Sequence, residues 1–402
     1  MADLTRAHYN GGQSKEDNLP INSKPSTLRT LFAAAGARFA TRRGREVPEE
    51  FAGAGDEYRA SRESVVVADR SYRARIRVTG KDRVSFLQNM LTNDVKALEP
   101  GQGIPAVLLT RKGTLISDLI VYQLGDVILL EMEPEGLASA LESFSHYLVS
   151  EDVTLDDASD EEALFSVEGP RASTLLAQLL GDRTEDQFAK LETFHFIEAS
   201  HGELDIRVSA ARHGPGPAFD LAVPARSAAE FLDILLDAGR PLGLQLAGWQ
   251  VQEIRRIEAG IPLLGTDMDA SHLPLEAGLD HAISFNKGCY IGQEYVVRLA
   301  HRGHVNRKLT GLTLAGRTVP QAGDPIHASG GPRQADQAGQ SRQAEQAVGR
   351  VTSAAFSPSL NQPIAMGYVQ SAFLATNTAL SIRNGENALE ARVTALPFID
   401  RP

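Results

Sequence analysis

Residues 73–101 read RARIRVTGKDRVSFLQNMLTNDVKALEPG, and this stretch decides the fold class. Ala74, Ile76 and Val78 alternate with Arg73, Arg75 and Arg77, the period of two expected of a half-buried strand. After Gly80, residues Val84, Leu87, Leu91, Val95 and Leu98 fall at helical spacing, and Glu99-Pro100-Gly101 ends the run. Strand, turn and helix thus follow one another directly. Further strands are expected at 115–124 (LISDLIVYQL) and 127–132 (VILLEM), joined at a Gly125-Asp126 hairpin turn. A helix follows, in which Leu137, Leu141, Phe144 and Leu148 form one apolar stripe. Beyond the acidic segment 151–162 (EDVTLDDASDEE) come a strand at 163–168, a helix at 170–180 and a helix at 226–238 stopped by Gly239 and Pro241. From about 308 the chain breaks into short β-like runs divided by Gly and Pro, the pattern of a small barrel or sandwich. This alternation of periods predicts an α+β protein.

A chain of 402 residues exceeds what one hydrophobic core supports, so several packed units are expected. The reading is a poorly ordered N-terminal extension over 1–55 and a first α+β unit from 56–150 together with about 245–307. A second α+β unit occupies 151–244, and a C-terminal β-barrel occupies 308–402. Within the barrel, SGGPRQADQAGQSRQAEQA at 329–347 is polar and aperiodic, which predicts a disordered hairpin loop. Residues 27–46, TLRTLFAAAGARFATRRGRE, are Arg-rich like some transit peptides, but Asp3, Glu16 and Asp17 precede them and the stretch is read as a terminal extension. The formal net charge of −11 opposes broad affinity for nucleic acid, and no apolar run is long enough to span a bilayer. A single cysteine forms no internal disulfide and fits a reducing compartment.

Three places carry chemistry. The stretch 287–308, KGCYIGQEYVVRLAHRGHVNRK, gathers Lys287, Arg298, Arg302, Arg307 and Lys308 against one acid, Glu294, a local basic cluster suited either to an anionic ligand or to a solvated face. Gly288 and Gly292 bracket Cys289 and Tyr290. Lys287 could lower the thiol pKa and so raise the reactive thiolate, although a lone Cys is also a common inert core residue. Glu258 continues the apolar face of Ala247, Val251 and Ile254; it either meets a hydrogen-bond donor in a buried setting or swings to solvent and pairs with Arg255. Asp118 sits inside an apolar strand and shares a face with Ile116 and Ile120, which favours an inward or cleft position. No zinc-ligand spacing, Ser-His-Asp arrangement or phosphate-binding glycine loop is recognisable, and no metal site is assigned.

The octapeptide KGCYIGQE at 287–294, followed by Arg298, resembles the K-G-C-[FY]-x-G-Q-E signature of the YgfZ family, relatives of the glycine-cleavage T-protein. Residues 78–103, 255–269 (RRIEAGIPLLGTDMD), 273–285 (LPLEAGLDHAISF) and 348–358 (VGRVTSAAFSP) resemble family segments in the same order, so the resemblance covers roughly 56–398. It implies two α+β units around a central folate cleft in the first of them, plus a small C-terminal barrel. As cofactor it implies tetrahydrofolate or a one-carbon derivative, with transient contact to an iron–sulfur cluster. Iron–sulfur client or assembly proteins are the implied partners, and the cytoplasm, or the mitochondrial matrix in a eukaryote, is the implied location. Residue by residue, it carries the pterin-holding acid over to Glu258 and the signature thiol to Cys289. With them go Lys287 and Asp118 as catalytic candidates, and Arg298, Tyr290, Gln293 and Glu294 as folate contacts. T-proteins have an Asp-Asp pair where this chain has Ser117-Asp118, and they lack the signature cysteine. On that basis the expected function is folate-dependent support of iron–sulfur enzymes through Cys289, with transferase chemistry lost. The alternatives are a folate-dependent aminomethyl- or methyltransferase, and a non-catalytic folate-binding module.

Overall fold

The computed structural model describes residues 28–181, 183–329 and 347–400, and the stretch that opened the sequence reading becomes an inner strand of a five-stranded antiparallel sheet. The order is Gly103–Leu109, Leu115–Gln123, Ile128–Met132, Ala74–Thr79, Thr154–Asp157. Helices Arg83–Met90 and Pro134–Tyr147 cover one face, packing Phe86, Leu87 and Phe144 onto Ile76, Val78, Val121 and Leu130. The helix expected to run to Leu98 stops at Met90. There Leu91 turns extended and bridges Leu108, and the Thr92 hydroxyl donates to the Ala282 carbonyl at 2.7 Å, a stronger local arrangement than another helical turn. A 3-10 turn at Val95–Ala97 still brings Val95 inward.

A second, six-stranded sheet runs Phe196–His201, Leu204–Ala210, Ala218–Pro224, Glu162–Glu168, Val66–Asp69, Gln245–Leu246, and is backed by helices Ala172–Leu180 and Ala228–Gly239. Here the expected division into units 56–150 with 245–307 and 151–244 needs correction. Val66–Asp69 pairs with Glu162–Glu168, whereas Thr154–Asp157 completes the edge of the first sheet beside Ala74–Thr79. The five-stranded sheet takes one strand from the other unit's sequence and the six-stranded sheet takes two, Val66–Asp69 and Gln245–Leu246, because exposed edges leave N–H and C=O groups that need partners. The arginine face of Ala74–Thr79 is correspondingly turned toward the neighbouring unit. Arg75 is fully buried and donates to the Glu162 carbonyl at 3.1 Å.

Six strands close the C-terminal barrel: Arg307–Leu314, Gln362–Gln370, Gly349–Ser357, Pro325–Ala328, Ala379–Asn384 and Asn387–Thr394. Closure leaves no free edge. The proposed loop 329–347 falls on residues 330–346, which lie outside the described residues, as do residues 1–27. For residues 28–55 the expectation of poor order is corrected. Arg29–Ala34 is a helix, Arg38–Arg42 and Arg45–Glu50 form a hairpin, and Leu28 and Phe32 belong to the core of the six-stranded sheet. Phe32 packs edge-on against Phe51 at 5.7 Å, apolar burial that no loose extension would supply. Among the described residues no helix is long and apolar enough to cross a membrane.

Candidate functional site

Where the two sheets, the barrel and helix Trp249–Glu258 converge lies a cleft of about 520 Å³. Its floor carries Asp118 and Ile120 from the strand Leu115–Gln123, and its walls carry Arg70, Tyr72, Arg73, Asp220, His213, Trp249, Gln252, Glu253 and Arg256. Lys308 and Arg212 are more open to solvent at the mouth. Successive residues of a strand point to opposite faces. Ser117 is fully buried against Gly136 of the covering helix, and its hydroxyl donates to the Asp118 carbonyl at 2.8 Å, so Asp118 is the member of the Ser117-Asp118 pair that reaches the cleft.

The Asp118 carboxylate is the least satisfied acid of the site. Its Oδ1 is closed off from solvent and has no hydrogen-bond partner. Desolvation pushes its pKa up to about 6, with Glu133 adding to the rise and Arg73 opposing it. The other acids are paired. Arg73 spans Glu131, at 3.2 Å, and Glu133, which also receives Arg43 at 2.7 Å. Arg256 holds Glu253 at 2.8 Å and Asp267 at 2.7 Å, and His213 Nε2 lies 2.7 Å from Asp220 Oδ1. Burial acts against the Arg73 and Arg256 cations, but these carboxylates outweigh it and both pKa values stand above the ordinary one. Burial likewise acts to raise Asp220, yet His213, Arg70 and Arg73 hold it below the usual carboxylate range. Tyr72 and Trp249, ring centroids 5.7 Å apart and planes inclined at 56°, supply an aromatic corner.

Of the residues singled out from sequence as catalytic or folate-contacting, Asp118 lines this cleft, and Lys308 of the basic cluster lies at its mouth. Glu258 is buried but faces away from it. Its carboxylate accepts hydrogen bonds from Tyr58 at 2.7 Å and Ser357 at 2.5 Å, tying helix Trp249–Glu258 to helix Ala54–Glu63 and to the barrel. Lys287 is also buried, and its ammonium donates to the carbonyls of Gln88, Leu91 and Asn93 at 2.6, 2.6 and 2.8 Å. All three of its donors are thereby spent on the end of helix Arg83–Met90 and on Asn93, and burial pushes its pKa down to about 8. That anchor pins the loop on which Cys289 is exposed. Tyr290 turns inward to the cluster of Val107, Leu109 and Leu115, and burial pushes its phenol up to about 12. Gln293 opens helix Gln293–Arg302 after Gly292, whose φ of +83° and contact with the Thr110 carbonyl leave no room for a side chain. Glu294 is exposed, and Arg298 is exposed with its guanidinium 4.9 Å from the Tyr295 ring. None of these four is a cleft residue. Sequence reasoning missed Asp220, although an acid inside the apolar run AFDLAVP is the same signal that pointed to Asp118. Arg70 and Glu253 carried no such signal. Among the described residues no cluster of His, Cys, Asp and Glu is arranged to hold a metal ion.

Residues 28–287 match the GCVT N-terminal domain family, and residues 307–400 match the glycine cleavage T-protein C-terminal barrel domain. An aminomethyltransferase of Shouchella clausii is 30% identical over 93% of this chain and 97% of its own length, and one of Chloroherpeton thalassium is 28% identical over 94% and 99%. The crystal structure of glycine cleavage system aminomethyltransferase T from Bartonella henselae shares the fold, with a TM-score of 0.81 at 23% identity over 93% of this chain and 97% of that one. With both domain families matched in order across nearly all of the described chain, this protein belongs to the glycine-cleavage T-protein family.

Proposed function

We propose that this chain binds a reduced folate in the cleft and catalyses transfer of an aminomethyl or related one-carbon unit, with Asp118 as the group that handles the proton. One observation carries the reading: a carboxylate with one oxygen buried and unpartnered, its pKa raised to about 6, on the floor of a cleft lined by an aromatic pair. The residues fit the cofactor. A pterin presents ring and amino N–H donors to carboxylates, of which Asp220 and Glu253 line the cleft and can accept further hydrogen bonds, and a flat ring for Tyr72 or Trp249. Its carboxylate tail suits Arg212 and Lys308 at the mouth. A reduced folate supplies the amine that accepts the one-carbon unit; Asp118 takes up or returns the proton, and the closed floor keeps water out. Loss of the acid at 117 does not bear on this, because residue 117 faces the covering helix. The relatives at 28–30% identity being aminomethyltransferases supports the same assignment.

Titration calorimetry with tetrahydrofolate, followed by a folate-dependent assay of ammonia release from an aminomethyl donor, tests it. Asp118→Asn is expected to keep the dissociation constant within a few-fold and to lower turnover by about 10² or more. Absence of tetrahydrofolate binding to the wild type, or full turnover in the variant, overturns it.

A second reading, support of iron–sulfur enzymes, is favoured by the exposed Cys289 on its lysine-anchored loop. Cys289→Ser would then abolish rescue of iron–sulfur enzyme activity in cells lacking the protein while leaving folate affinity intact. Full rescue by that variant removes this reading without touching the first.

A further inference from the structure

One cation in the wall of the cleft, Arg70, has no carboxylate in direct contact among the described residues. Arg73, Arg256 and His213 each have a carboxylate partner, whereas Arg70 forms no ion pair among the described residues. Its Nη1 donates to Gln252 Oε1 at 3.3 Å, its Nε is sealed from solvent with no partner, and its guanidinium carbon lies 5.9 Å from the Tyr72 ring centroid. Burial opposes the charge, but Tyr72, Asp220 and Glu168 outweigh it and keep its pKa above the ordinary value, without a carboxylate in direct contact. A guanidinium that lines a cavity with no carboxylate in direct contact is suited to receive one from a ligand.

The surroundings say where such a ligand sits. Tyr72, Trp249 and Gln252 line not only this cleft but also a second cavity of about 770 Å³ on the side of the N-terminal hairpin, so the two spaces meet at Arg70's own hydrogen-bond partner. The tail of a bound folate already has cations at the mouth, Arg212 and Lys308, and its ring carries no carboxylate. The geometry points to Arg70 as the seat of a carboxylate on a second small molecule, the co-substrate of the folate reaction, held beside Gln252. This rests on the folate reading for the word co-substrate, but the anion seat itself does not.

Trp249 is the chain's single tryptophan, so its fluorescence reports on this corner. Benzoate and the uncharged isostere benzamide are titrated into the full-length protein with excitation confined to tryptophan, and tetrahydrofolate affinity is measured separately by calorimetry. Saturable quenching by benzoate, at least tenfold tighter than by benzamide, is expected in the wild type. Arg70→Gln should weaken benzoate by about ten- to a hundredfold, Arg70→Lys by less, and neither should move the tetrahydrofolate dissociation constant more than a few-fold. Equal affinity for benzoate and benzamide in the wild type overturns the assignment even if Arg70→Gln fails to fold. Loss of tetrahydrofolate binding in Arg70→Lys also overturns it, by placing Arg70 in the folate site. Benzoate binding that depends on Arg70 in a wild type unable to bind tetrahydrofolate keeps the anion seat and removes the folate reading instead.

Discussion

Asp118 shows how one side chain sets stability against chemistry. Because its pKa is raised in the folded protein to about 6, above an unfolded value of about 3.9, the folded state holds the proton more tightly across that window. The contribution this makes to stability is present at low pH and is lost as pH rises through about 6. Asp118→Asn, which removes the charge at constant shape, is therefore expected to stabilise the protein by roughly 1–3 kcal/mol at pH 7.5 and by much less near pH 4.5. Urea unfolding of both forms at the two pH values measures this directly. A difference that stays constant with pH would show that the carboxylate is better solvated than its missing partner implies. The acid itself was visible in LISDLIVYQL from strand parity alone. Its true neighbours, Arg73 and Glu133, lie just beyond the ends of strands Ala74–Thr79 and Ile128–Met132, and no spacing within the chain reports them.

At the scale of an element, helix Trp249–Glu258 does two jobs from two faces. Trp249, Gln252, Glu253 and Arg256 line the cleft, while Glu258, at the last position, turns to Tyr58 and Ser357. Burial raises the Glu258 pKa, with the Ser357 and Tyr58 hydroxyls acting against the rise, so its charge is not what the fold depends on. Glu258→Gln should therefore change stability by less than about 1 kcal/mol, whereas Glu258→Ala strands two hydroxyls beside a small void and should cost about 2–4 kcal/mol. Neither should alter tetrahydrofolate affinity more than about twofold. Denaturant unfolding and calorimetry on the pair decide it, and a large loss of affinity in a folded Glu258→Gln would return Glu258 to the cofactor site. The helix was legible from its 3.6 period, which put Glu258 on the apolar face but left open whether it is buried or swings to solvent. What that face meets was not legible, because both the cleft and the Tyr58–Ser357 knot lie on the buried side.

At the scale of the molecule, the sheets exchange strands and the N-terminal segment closes the seam. Leu28 and Phe32 pack in the same core as Phe165, Leu175 and Phe231. Phe32→Ala should cost about 3–5 kcal/mol, as for other buried aromatic truncations, and should lower the thermal midpoint of the whole chain in one transition. A loss below about 1 kcal/mol, or a separate early transition, would make residues 28–50 a peripheral attachment. By contrast, replacing 330–346 with a short Gly-Ser turn between strands Pro325–Ala328 and Gly349–Ser357, which already pair through Ile326 and Gly349, should leave the midpoint within a few degrees.

The sequence by itself determined the α+β class, a β-rich C-terminal unit, the strands around 73–79, 115–124, 127–132 and 163–168 to within a few residues, and the cleft-facing side of Asp118. These follow from periodicity and turn chemistry, which act over short stretches of chain. Tertiary structure alone decided which strands share a sheet, that residues 28–50 belong to the core, and that the signature residues Lys287 to Glu294 brace a loop outside the cleft. It alone gathered Arg70, Asp220, Glu253 and Trp249 around Asp118. The physical reason is that edge strands, buried charges and apolar faces are satisfied by whatever partner the packed chain brings within a few ångströms, and those partners lie scores of residues away along the sequence.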